Sequence, residues 1–141
     1  MTTSARSTHA LLLALGATIG LGCAAIASAA GFDGSKDLLC APSDIAQCDQ
    51  SARCERVSPS DVDLPPFVRV DFGKKRLMSL TDPPRESPID TVQQREGLTI
   101  LQGAQNGRAW SLVIDQETGR MTVSVADGEG AFAVFGACTP R

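Results

Sequence analysis

Four cysteines, Cys40, Cys48, Cys54 and Cys138, follow a leader-like opening segment and constrain the fold more than any other feature. An even number of thiols in a chain bound for an oxidising compartment reads as two disulfides. Three pairings are open. Joining Cys40 to Cys48 and Cys54 to Cys138 is preferred, because it makes one local staple and one bridge from the C-terminal strand to the start of the folded body. That long bridge would restrict the unfolded chain by about 4 to 5 kcal/mol in the loop-entropy view, comparable to the whole stability of a small domain. Zinc is the competing use of Cys40, Cys48 and Cys54. Structural zinc favours Cys-x2-Cys pairs and usually His, and neither is present beyond residue 30, so no metal and no cofactor is expected.

The opening segment reads as an export signal. Met1 to His9 are polar with Arg6 as the only side-chain charge, and Ala10 to Ala30 run uncharged through Leu11, Leu12, Leu13, Leu15, Ile19, Leu21 and Ile26. Ala27-Ser28-Ala29 and Ser28-Ala29-Ala30 both suit signal peptidase, placing the cut after Ala29 or Ala30. A retained anchor would use the same stretch of roughly 20 residues, but Gly16, Gly20 and Gly22 weaken it. Lipidation at Cys23 has a suitable Gly22 before it, whereas Gly20 stands where a Leu-like residue belongs. The expected location is periplasmic or secreted, with membrane contact only through an uncleaved or lipidated leader. Removing Arg6 leaves 12 basic against 16 acidic side chains. No nucleic-acid partner is expected, since such footprints are basic and clustered, and the only basic run is Lys74-Lys75-Arg76.

Residues 31–141 read as one folded domain, beginning with an irregular, disulfide-held segment over 31–66 that ends at Pro65-Pro66. A short helix over Ser43 to Cys48, with Ser43 or Asp44 as its N-cap, fits within it. From residue 67 to 141 the apolar period is two. Val68, Val70 and Phe72 share one strand face while Arg69 and Asp71 take the other. Gly73-Lys74-Lys75 turns the chain into Arg76 to Leu80, and the prolines of Thr81 to Pro88 then predict a long exposed loop. Runs at Ile89 to Gln94, Leu98 to Gln102, Arg108 to Asp115, Met121 to Val125 and Ala131 to Cys138 follow. Between the second and third of these, Asn106-Gly107 is the strongest turn signal, because both residues tolerate the positive φ of a type I′ turn. The predicted architecture is all-β: an antiparallel meander closing as a small barrel or sandwich. With short strands, such a barrel should be filled by its own side chains, and Trp110, in phase with Leu112 and Ile114, reads as a core anchor.

Several chemistries lack their residues. His9 is the only histidine and lies in the leader, so the exported portion has no imidazole base for serine or cysteine hydrolysis. Asp115 with Glu117 and Asp127 with Glu129 are the only close carboxylate pairs considered for glycosidase work, and both occupy turns, where acids are ordinary. Asp33-x-Ser35-x-Asp37 begins like a calcium loop, but Leu38 occupies the place of the required Gly. The chain is therefore expected not to be an enzyme.

Ile100-Leu101-Gln102-Gly103, Asn106 to Asp115, Thr118-Gly119 and Phe135-Gly136-Ala137-Cys138-Thr139 together resemble segments of small exported proteins of Gram-negative bacteria. The resemblance implies export and no particular activity. The cysteine-closed meander is also similar in style to the periplasmic barrels that inhibit C-type lysozyme. Their Ser-Gly-x-x-Tyr-like motif is only partly echoed by Gly107-Arg108-Ala109-Trp110, without its Ser or Tyr. The expectation is a non-catalytic module that binds or inhibits a protein partner in the cell envelope. Its candidate binding residues are Lys74, Lys75, Arg76, Asn106 and Arg108, whose Arg and amide donors would enter an acidic cleft. A structural or accessory envelope protein and a small-molecule-binding β-barrel are the alternatives.

Overall fold

The period-two runs after Pro66 are realised as seven of the ten strands in the computed structural model, which describes residues 31–141. The segment read as an export signal, with Cys23 and His9, lies outside the described residues. The strands are β1 (Leu38–Asp49), β2 (Cys54–Val57), β3 (Val68–Asp71), β4 (Arg76–Ser79), β5 (Glu86–Pro88), β6 (Thr91–Arg95), β7 (Leu98–Gln105), β8 (Arg108–Asp115), β9 (Arg120–Ala126) and β10 (Gly130–Pro140). They form one antiparallel sheet in the order β5-β4-β3-β1-β10-β9-β8-β7-β6, with β2 paired to β1, and the sheet curls into a half-barrel.

The two ends of that order are consecutive in the chain. Glu86–Pro88 pairs with β4, and after Ile89 and Asp90 the same run of backbone pairs with β7 as Thr91–Arg95. Ile89 N–H donates to the Lys75 carbonyl at 2.9 Å and Asp90 N–H to the Gln102 carbonyl at 2.8 Å. A single stretch of main chain thus borders both flanks of the curl. The proline-rich segment predicted as an exposed loop therefore ends in a short strand. Pro88 is tolerated because it sits at the margin of the ladder, where one missing donor costs little.

The segment over 31–66 departs most from expectation. It is irregular only at 31–37, 50–53 and 58–66; between these it contributes β2 and the longest strand, β1, which pairs with β10 along most of its length and also with β3 and β2. The helix over Ser43 to Cys48 does not form. Neighbours on both sides supply the hydrogen bonds that local propensity does not promise, the usual tertiary override in sheets. Pro42 is accommodated by a register shift between Pro42 and Asp44, where the Ser43 hydroxyl donates to the Phe135 carbonyl at 3.2 Å.

Because Cys40 and Cys48 lie on one extended strand, about 26 Å apart at 3.3 Å per residue, they cannot be joined. The bonds are Cys40–Cys138 and Cys48–Cys54. Each follows the strand register: Cys40 stands directly opposite Cys138 in the β1–β10 ladder, and Cys48 opposite Cys54 in the β1–β2 hairpin. The preferred pairing failed because it assumed no strand at this place.

Turn chemistry is as the sequence demands at Asn106-Gly107, with φ of 52° and 77°, and again at Glu96-Gly97, with 51° and 78°. Asp71, expected on the solvent face, is buried, and its Oδ1 accepts the Lys74 N–H at 2.8 Å as the β3–β4 turn folds over it.

The core fills one end of the half-barrel. Phe32, Leu38, Leu101, Ile114 and Met121 are buried together there. Phe32 comes from the turn ahead of β1 and acts as a plug. Its carbonyl accepts the buried Thr99 hydroxyl at 2.6 Å, and that hydroxyl in turn accepts from Gln116 Nε2 at 3.0 Å. Gly119, at φ 70°, leaves room for the Phe32 ring, since a β-carbon there would stand 2.5 Å from its Cζ.

Candidate functional site

The other end of the half-barrel is open. Alternation places residues 108, 110 and 112 of β8 on one face, so Arg108, Trp110 and Leu112 descend in file from the β7–β8 turn toward the core. Across the ladder, Trp110 stands opposite Val125 and Leu112 opposite Val123. With Val68, Leu77 and Val134 from the other wall, these side chains line an open cavity of about 820 Å³. The expectation of an interior filled by its own side chains is corrected here. The core residues fill only the plugged end, and above them the valines of the two walls leave the space between them unfilled.

Trp110 is half-buried, packing on the core from the cavity side rather than anchoring its centre. Its Nε1–H donates to Ser87 Oγ at 3.1 Å, tying β8 to β5 across the curl. The ring lies over Gly103, its directly paired partner in β7.

The mouth is polar. Arg85, Glu86, Gln105, Asn106, Arg108 and Asp127 border it. Arg85 is fastened to Asp63, donating to its carboxylate and its carbonyl at 2.8 Å each. Glu86 is paired with Arg76, and its carbonyl accepts Gln105 Nε2 at 2.7 Å. Asp127 is held by the N–H groups of Glu129 and Gly130, then by Arg108 Nε at 3.1 Å, and these donors keep its carboxyl below the usual carboxylate range.

The five candidate binding residues do not form one cluster. Asn106 and Arg108 stand at the cavity mouth. The strand registers put the Gly73-Lys74-Lys75 turn at the opposite, plugged end, where Lys74 Nζ lies 3.8 Å from Asp71 and the Lys75 carbonyl serves Ile89. Arg76 lies between, engaged with Glu86. The carboxylates considered for catalysis act as turn formers: Asp115 Oδ1 accepts from Glu117 N, Thr118 N and Thr118 Oγ1 at 3.0, 2.7 and 2.8 Å. Among the described residues, no group of three or more His, Cys, Asp or Glu is placed to hold a metal ion.

The cavity was missed at the sequence level, though a signal existed. An Arg two positions before Trp110 and four before Leu112, all on one strand face, marks the place where an apolar interior meets solvent. No family model, curated protein or solved structure matches the chain.

Proposed function

We propose that this is an exported, non-catalytic binding module whose half-barrel takes a small apolar molecule at its open end. The observation that carries the reading is the cavity of about 820 Å³, walled by Trp110, Leu112, Val123, Val125, Leu77 and Val134. Small-molecule sites are typically concave, mostly apolar and of about 300–1,000 Å³, with a few polar groups at fixed positions. The two disulfides are compatible with a periplasmic or extracellular location. The separation of the Lys74-Lys75 turn from Asn106 and Arg108 disfavours a single protein-facing patch built from both.

Trp110 is the sole tryptophan, so its fluorescence reports on the cavity without interference. Titrating the purified protein with 1-anilinonaphthalene-8-sulfonate and with a panel of apolar metabolites should quench or blue-shift that emission saturably. A flat response across the panel at millimolar concentration overturns the reading.

A further inference from the structure

We propose that the ligand is a linear amphiphile with an anionic oxygen head, which Arg108 grips at the mouth while the tail runs down β8 past Trp110 and Leu112. This rests on the cavity reading above and adds the chemistry of the ligand.

The charges at the mouth are not equivalent. Arg85 spends both terminal amino groups on Asp63. Glu86 is neutralised by Arg76. Asp127 takes two backbone N–H groups on Oδ1 and Arg108 Nε on Oδ2. Both lining acids are therefore satisfied from within the protein. Arg108 is the exception: only its Nε is engaged, and among the described residues no hydrogen bond involves either of its terminal amino groups. Its side chain remains 57% exposed.

A guanidinium held by Nε, with its other edge free, presents donors suited to bidentate capture of carboxylate or phosphate oxygens. Asp127 fixes the orientation of that fork without consuming it. Asn106, in the adjoining turn, borders the same mouth.

The tail direction follows from strand geometry. Arg108, Trp110 and Leu112 succeed one another at about 7 Å intervals along one face, and the walls below Arg108 are apolar on both sides: Val125 and Val123 on β9, Leu77 on β4 and Val134 on β10. Head and tail sites are thus aligned on a single strand, which selects an extended chain with its polar group at one end.

The test is a series with one tail and four heads, dodecanoate, dodecyl phosphate, dodecanol and dodecylamine, each titrated below its micellar range against Trp110 fluorescence and by calorimetry. One or both anionic heads should bind about tenfold more tightly than dodecanol, the worth of one charge-assisted contact. Whichever anion binds better identifies the head. R108Q should abolish the advantage of that anion over dodecanol, bringing their affinities within about twofold of each other. If dodecanol binds as well as both anions, or dodecylamine binds best, the head-group assignment is overturned and the cavity reading stands. If none of the four binds, the cavity reading falls with it. The comparison of heads on the unaltered protein decides the matter even if R108Q proves unstable.

Discussion

The indole of Trp110 lies across Gly103, its opposite number in the β7–β8 ladder, so closely that a β-carbon at position 103 would stand 2.5 Å from the indole Cζ2 and would also collide with the Pro88 carbonyl. Glycine is needed at this position for close approach, not for turn conformation. Gly103→Ala should displace the ring and lower stability by about 1–3 kcal/mol, the usual cost of overpacking. Urea unfolding gives the loss, and a red-shifted Trp110 emission in the folded variant gives the displacement. Unchanged stability and emission would refute the contact.

The two disulfides should differ in what their removal costs. Cys40–Cys138 closes 98 residues and Cys48–Cys54 closes 6. In the loop-entropy view these constrain the unfolded chain by about 4.7 and about 2 kcal/mol. Replacing Cys48 and Cys54 together by Ser should leave a folded protein with a lowered urea midpoint. The same change at Cys40 and Cys138 should bring the protein close to unfolding at 37 °C. Equal losses would contradict the ranking.

Thr99 couples the Phe32 plug to Gln116 through one buried hydroxyl. Thr99→Val keeps the shape and strips both hydrogen bonds, leaving the Phe32 carbonyl unpaired. The expected loss is about 1–3 kcal/mol. Phe32→Ala, which empties the plug, should cost about 3–5 kcal/mol. Denaturant midpoints of the two variants check both the magnitudes and their order.

Acid should destabilise the protein through specific turn aspartates. Hydrogen bonds from the Thr118 hydroxyl and N–H lower the Asp115 carboxyl below its ordinary value, and those from the Glu129 and Gly130 N–H groups do the same for Asp127. A group depressed in the folded state stabilises it above the unfolded pKa of about 3.9, and that contribution fades as pH falls through the lower folded value. The urea midpoint should hold from pH 7 to about 5 and decline below about 4. Asp115→Asn should make the decline shallower. A midpoint independent of pH between 5 and 2.5 would contradict the assignment.

The strands from Val68 onward, β5 excepted, were legible because their sequence alternates and their turns carry residues that accept positive φ, Asn106-Gly107 above all; β5 was hidden by the prolines around it, which read as a loop. β1 was not. Its Pro42, Ser43 and Asp44 argue against a strand locally, and it forms only because β10, β3 and β2 flank it. Missing β1 also misplaced the disulfides, since their pairing is a consequence of its register. The cavity depends on curvature and on where side chains stop meeting, which no single strand records. Of the candidate residues, Asn106 and Arg108 were found through their turn. The in-phase file of Arg108, Trp110 and Leu112 shows why they matter; read from the sequence alone, that phase is followed only inward, from Trp110 to Leu112 and Ile114, which places Trp110 in the core and leaves Arg108 to the turn.

The run from Glu86 to Arg95 serves β4 with its first part and β7 with its last. Any prying apart of the mouth on one flank is carried through Ile89 and Asp90 to the other along covalent bonds. On the proposed reading, a guest wider than the resting aperture would strain a peptide tether instead of parting two free margins, and a preference for slender molecules over bulky ones would follow from this backbone hoop itself.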